Sequence, residues 1–164
     1  MCASTGSDLR EGESLRRTVE TVLAIVVSTH GYRCGRQAYG QCAKAAREVQ
    51  RRLAGVPSYR VEVKVTDVPD RCPWSDDVQR PDHPRFVWHY VLAVPGVGIA
   101  DPTGSQFGRR APRLLEDVPP WWTLVRTVKS SPAATPRSDI SIRFDSGDPV
   151  GAQWAFEKLL EGGQ

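Results

Sequence analysis

The sequence is poor in the residues that would hold a domain together by cross-links. Its four cysteines are Cys2, Cys34, Cys42 and Cys72, and no two of them form a C-x-x-C pair. A chain of 164 residues can bury a substantial core without disulfides or structural metals. Cys34 and Cys42 could bind zinc together with His83, but their spacing matches no common structural zinc site. We therefore expect free thiols in a reducing compartment, no bound metal and no cofactor.

Long apolar runs and strong charge are also lacking. The longest apolar run, residues 21–27, is far too short to span a bilayer, and no small-residue cleavage site follows it. The net charge is only +3, and no dense block of Lys and Arg with interleaved aromatics occurs. The hydrophobic share of 40% and the charged share of 25% are ordinary for a folded domain. We expect a soluble, cytoplasmic protein that binds neither nucleic acid nor membranes.

The hydrophobic periodicity predicts an α+β fold in which helices pack on one antiparallel sheet. Helical spacing begins at Ser14 and again at Cys42, and a third helix has Pro149 at its first position. Alternating and continuous apolar runs predict strands over residues 59–65, 85–94, 97–102, 121–128 and 140–144. Within a single domain of residues 1–164, we expect residues 1–13 to be flexible, residues 14–128 to form the core, and residues 129–164 to add a strand and a helix.

His89 lies in the middle of a strand that otherwise buries apolar residues, so its imidazole needs a hydrogen-bond partner. The turn at residues 95–96 predicts a hairpin that brings Asp101 back beside it. A plain two-residue turn places Asp101 opposite Tyr90, and a bulge at Gly98 would be needed for it to face His89 directly. Either way, we expect the carboxylate close enough to accept the ring N–H and to orient the imidazole.

Cys42 begins the helix with the sequence GQCAKAAREVQRRLAG, where helices usually place a Ser, Thr or Asp cap. The unpaired N–H groups and the positive dipole end of a helix stabilise a thiolate, as does a neighbouring imidazolium. The same N–H groups could bind a developing oxyanion, with the side chain of Gln37 or Gln41 as a second donor. The alternative is that Cys42 is simply a small buried core residue.

The segments GQCAKAAREVQRRL, FVWHYVLAV and IADPTGSQF, in this order, resemble the papain-like fold toxin and protein-glutamine deamidase domains of bacterial effectors. Those domains resemble transglutaminases and cysteine peptidases in their core, and the likeness spans about residues 32–107. It implies a papain-like fold in which Cys42 is the nucleophile, His89 the general base and Asp101 the orienting acid. Peptidases of this fold place an oxyanion glutamine several residues before the cysteine. In this sequence the corresponding position falls between Arg36 and Gln37.

The resemblance implies a cysteine-dependent amide hydrolase or acyl transferase that acts through a thioester. The substrate would be a protein or peptide that offers a glutamine side chain or another amide. We expect Gln106 and Trp88 to contribute to substrate or oxyanion binding, and the Pro- and Asp-rich loop of residues 66–84, which contains Trp74, to form a wall of the cleft. If the domain is a toxin, it would be delivered into a target cell and have a cognate inhibitor or immunity protein.

Three alternatives stay open at this point. A cysteine peptidase or isopeptidase would use the same three residues on a backbone or isopeptide amide. A catalytically inactive papain-like binding module would instead use the adjacent Trp121 and Trp122 as an interaction surface. A zinc-binding or nucleic-acid-binding protein is the third.

Overall fold

A computed structural model of the chain describes residues 5–66, 86–107, 112–120, 122–137, 140 and 149–161. The helices are α1 (Thr5–His30), α2 (Gly35–Ala38), α3 (Cys42–Arg52) and α4 (Pro149–Leu160), and a 3₁₀ helix spans Gly104–Phe107. The strands are β1 (Tyr59–Thr66), β2 (Phe86–Val94), β3 (Gly98–Asp101), β4 (Arg113–Leu115) and β5 (Trp122–Ser130). The five strands form one sheet in the order β4-β3-β2-β1-β5, and every pairing is antiparallel. The predicted α+β class is confirmed.

Alternate residues of β2 enter two hydrophobic clusters on opposite faces of the sheet. Val91 and Ala93 belong to the cluster that contains Phe156 of α4, whereas Leu92 and Val94 belong to the cluster formed by α1 and α3. Because successive side chains of a strand point to opposite faces, α4 covers one face and α1 and α3 cover the other. Burial on both faces explains why the sequence of β2 is apolar almost throughout, as the strand prediction assumed.

The first helix is longer than its apolar stripe. The sequence pattern predicts a start at Ser14, but α1 begins at Thr5, within the stretch of residues 1–13 that we expect to be flexible. Salt bridges one turn apart, between Arg17 and Glu13 and between Arg16 and Glu20, support the exposed face of this helix. The boundary was missed because such pairs and good helix formers extend a helix without any apolar spacing.

The register of the β2–β3 hairpin corrects the sequence prediction by one residue. Leu92 pairs with Ala100 and Val94 with Gly98, so Val97 belongs to the loop and the connection has three residues, not two. The N–H of Val97 donates to the carbonyl of Val94 at 3.0 Å, which closes the turn. In this register Asp101 lies on the same face of the sheet as His89, because each is two residues from a residue that faces α4, Ile99 for Asp101 and Val91 for His89.

Gly98 occupies a position that only glycine fits. Its φ is +143°, and a Cβ there would lie 2.4 Å from the backbone oxygen of Leu115. We expect Gly98→Ala to lower the free energy of unfolding by about 2 kcal/mol or more, through backbone strain and a backbone clash. Gly96→Ala is the matched control, since Gly96 also has a positive φ but open space around it, and the cost there should be about 1 kcal/mol. Equal urea denaturation midpoints for the two variants would contradict this.

The C-terminal helix is tied to the same hairpin. Pro149 is the first residue of α4, as predicted, and the helix ends where the carbonyl of Leu160 accepts the N–H of Gly96 at 2.9 Å. Ala155, Phe156 and Leu159 of α4 are buried against the sheet. The turn that positions Asp101 is therefore fixed by the last turn of α4.

Several sequence predictions concern residues outside those described: the loop of residues 67–84 with Cys72, Trp74 and His83, the N-terminal Cys2, Trp121, and residues 141–144 of the strand predicted over 140–144. Ile140 is described, and it is buried and helical, so the predicted strand does not begin there. Among the helices of the described residues, none combines the length and apolarity that crossing a bilayer requires.

Candidate active site

Cys42 is the first residue of α3, and the backbone turns sharply just before it. Gly40 has a φ of +71°, and Gln41 is the N-cap residue without a side-chain hydrogen bond to the helix. The N–H groups of the first turn are therefore not satisfied by a capping side chain, and that of Ala43 donates to the Cys42 thiol. The helix buries Ala45, Ala46 and Val49 and leaves Cys42 half-buried at the rim of the core.

An incomplete strand pairing opens the edge of β2 to this thiol. β3 pairs with β2 only from Leu92 to Val94 and then diverges. The backbone N–H of Tyr90 is thus left for Cys42, to whose sulfur it donates a hydrogen bond. The site lies at the point where two neighbouring strands separate.

The imidazole of His89 is fully buried and held on several sides. Its Nε2 lies 2.8 Å from Oδ1 of Asp101, which also accepts the N–H of Thr103 at 3.3 Å. Its Nδ1 lies 2.9 Å from Nε2 of Gln106. The edge of the ring packs against Phe107, with ring centroids 4.9 Å apart. Because a carboxylate accepts hydrogen bonds only, Nε2 carries a proton and Nδ1 is the nitrogen that can act as a base.

Cys42 and His89 perturb each other in the way a thiolate–imidazolium pair requires. Burial alone raises the pKa of Cys42, but the hydrogen bond and charge of His89, with the two backbone N–H groups, hold it below its ordinary value. Burial lowers the pKa of His89, but the charge and hydrogen bond of Asp101, together with Cys42, outweigh it and raise the pKa to about 10. The thiol is therefore ionised more readily than that of an isolated cysteine.

The structure thus brings Cys42, His89 and Asp101 together, with Gln106 as a fourth member. The other candidates have different places. With its amide nitrogen turned toward them, Gln37 donates to the carbonyls of Gly31 and His30, at 3.0 and 3.3 Å, at the end of α1. Gln41 caps α3, and its carbonyl accepts the N–H of Ala45. Trp88 adjoins His89 in β2, on the opposite face of the sheet, with 37% of its surface exposed.

Sequence reasoning missed a polar pair beside the thiol. The phenol of Tyr90 hydrogen-bonds the carboxylate of Glu62, which is only 9% exposed and lies directly across the β1–β2 ladder. Burial raises the pKa of Tyr90, and the charges of Glu62 and Cys42 raise it further. The signal was available, because the alternation of β1 and β2 places both residues on the face that α3 covers.

A scan against protein-family models finds no match, and neither a search of curated proteins nor one of solved structures finds a similar protein. Within the described ranges, no group of three or more His, Cys, Asp or Glu side chains is placed to hold a metal ion.

Proposed function

We propose that the protein is a cysteine-dependent amide hydrolase or acyl transferase of papain-like fold, similar in its chemistry to protein-glutamine deamidases. The observation that carries this proposal is the contact chain from the half-buried Cys42 thiol, through the buried His89 imidazole, to the Asp101 carboxylate. A thiol nucleophile needs a base to remove its proton and a third group to orient that base, and these residues have those properties.

In the proposed reaction, the Cys42 thiolate attacks the carbonyl carbon of a glutamine side-chain amide. The negative charge that develops on the carbonyl oxygen is stabilised by backbone N–H groups of the first turn of α3, of which that of Cys42 is the first. The C–N bond then breaks, His89 gives the proton on Nδ1 to the departing nitrogen, and ammonia leaves. A thioester remains on Cys42.

Water resolves the thioester in the second half of the cycle. His89, now neutral, takes a proton from the water as its oxygen attacks the thioester carbon. The C–S bond breaks, the product is a glutamate side chain, and the thiolate and imidazolium are restored. An amine in place of water gives a crosslink, and a backbone or isopeptide amide in place of glutamine gives chain cleavage by the same steps.

The proposal is tested by incubating the protein with a glutamine-rich protein and following both partners by mass spectrometry. We expect glutamine-to-glutamate conversion with stoichiometric ammonia, and hydroxylamine should convert the same glutamines to hydroxamates by intercepting the thioester. Cys42→Ala should abolish both products, whereas Cys34→Ala should retain them, because Cys34 is an exposed thiol at the N-cap of α2. Crosslinks or cleaved chains would select another acyl-transfer reaction, and no Cys42-dependent product with any amide substrate would favour a binding module.

A further inference from the structure

Both nitrogens of the His89 ring are engaged, and one of the partners does not fit a simple catalytic triad. Nε2 faces the carboxylate of Asp101, so it carries a proton. Nδ1 faces Nε2 of Gln106 at 2.9 Å, and an amide nitrogen can only donate. This pair of contacts belongs to the neutral ring, in which Nδ1 accepts a hydrogen bond through its lone pair.

The position of Gln106 is fixed by the 3₁₀ helix that contains it. Its side chain is 6% exposed, its backbone N–H donates to the carbonyl of Thr103 at 3.1 Å, and its amide nitrogen also lies 3.4 Å from Oγ1 of Thr103. The neighbouring Ser105 hydroxyl donates to the carbonyl of Tyr32, which anchors this helix to the loop between α1 and α2. The two N–H groups of the amide therefore have two acceptors, Nδ1 and the threonine hydroxyl.

We propose that Gln106 is a positioning residue that restrains formation of the thiolate–imidazolium pair. When Cys42 ionises, the S–H bond breaks and its proton moves to Nδ1, which then becomes a donor. The amide N–H of Gln106 cannot remain opposite this new N–H, so the amide must rotate to offer its oxygen or withdraw toward Thr103. The inference rests on the proposed function, because it assigns to Gln106 the regulation of the same proton transfer.

Gln106 disfavours the thiolate–imidazolium pair of Cys42 and His89, whereas the charged groups around these two residues favour it. Asp101 at the end of β3 and the thiolate at the start of α3 favour the imidazolium. On the other face of the sheet, Tyr90 of β2 lies within the electrostatic reach of Glu62 and Arg60 of β1 and of Cys42 itself. One neutral amide donor does not outweigh a buried carboxylate, so Gln106 moderates the ion pair and does not abolish it. It raises the pH at which Cys42 ionises.

The test is the pH dependence of Cys42 alkylation in the full chain, with the modified peptide quantified by mass spectrometry. Gln106→Met keeps the length of the side chain and removes the donor, so we expect the alkylation midpoint to fall by about half to one pH unit. Gln153→Met, on the exposed face of α4, is the matched control and should leave the midpoint unchanged. If the Gln106 side chain only fills space, Gln106→Met should also leave the alkylation midpoint unchanged. A higher midpoint in Gln106→Met would mean that the amide oxygen of Gln106 accepts a hydrogen bond from the imidazolium. Either result overturns the inference.

A second measurement does not depend on how well Gln106→Met folds or on any enzymatic activity. In ¹⁵N-labelled Cys42→Ala protein, at a pH where the His89 ring is neutral, we expect the proton on Nε2 and a scalar coupling across the hydrogen bond between Nδ1 and the Gln106 amide nitrogen. A proton on Nδ1 without that coupling overturns the inference. Suppose that the midpoint does not fall in Gln106→Met, or that Nδ1 carries the proton without the coupling, while Cys42 of the wild type still reacts selectively. The proposed function would then stand, and only the role of Gln106 would be removed.

Discussion

At pH 6, iodoacetamide should alkylate Cys42 at least about ten times faster than Cys34. Both thiols lie at the start of a helix, and Cys34 is the more exposed of the two, so accessibility alone predicts the reverse order. What distinguishes Cys42 is the hydrogen-bonded imidazole, which holds its pKa below the ordinary cysteine value. A lower pKa means a larger thiolate fraction at pH 6, and the thiolate is the species that reacts.

The control for this result is His89→Gln, which retains polar atoms near Asp101 but cannot take up a proton. We expect the advantage of Cys42 over Cys34 to disappear in this variant, while the far-ultraviolet circular dichroism spectrum stays that of the wild type. Rates that are equal in the wild type, or an advantage that survives His89→Gln, would show that the imidazole does not activate the thiol.

Asp101→Asn should have the second large effect. A carboxamide can donate to Nε2, which would place the imidazole proton on Nδ1 and leave no base for the thiol. We expect turnover of the amide substrate to fall by roughly 10²-fold or more, as with comparable changes of tautomer in other triads. The alkylation midpoint of Cys42 should rise toward the ordinary cysteine value, because the charge that stabilises the imidazolium is lost.

Asp117→Asn is the matched control for Asp101→Asn, since it makes the same chemical change at an exposed aspartate. It should alter neither turnover nor the alkylation midpoint. If Asp101→Asn also leaves both unchanged while the protein remains folded, the carboxylate has only a structural role.

The convergence of His89 and Asp101 was predictable because it follows from local chain geometry. A Pro–Gly turn after an apolar strand returns the chain antiparallel, and the two residues are near in sequence. The exact register was not predictable. Whether Val97 belongs to the turn or to the strand depends on how Gly98 packs against Leu115 of β4, which is a tertiary contact.

The glutamines show where sequence reasoning reached its limit. Gln37 and Gln106 are both candidates by type and by nearness to a site segment, yet one faces the end of α1 and the other the imidazole. The 3₁₀ helix after β3 sets the direction of the Gln106 amide, and the short helix α2 sets that of Gln37. Both helices are too short to show a hydrophobic periodicity in the sequence. The contact of Cys42 with the edge of β2 has the same origin, since it requires β3 to diverge after pairing with Leu92.

The most direct test of the central claim is a spectroscopic titration of the Cys42 thiolate, taken as the ultraviolet absorbance difference between the wild type and Cys42→Ala. This difference cancels the other three cysteines and reports on ionisation without any substrate. We predict a transition below the ordinary pKa of cysteine, about 8.5, because the hydrogen bond and charge of His89 lower the pKa of Cys42. A transition at or above that value would contradict the assignment of Cys42 as an activated nucleophile.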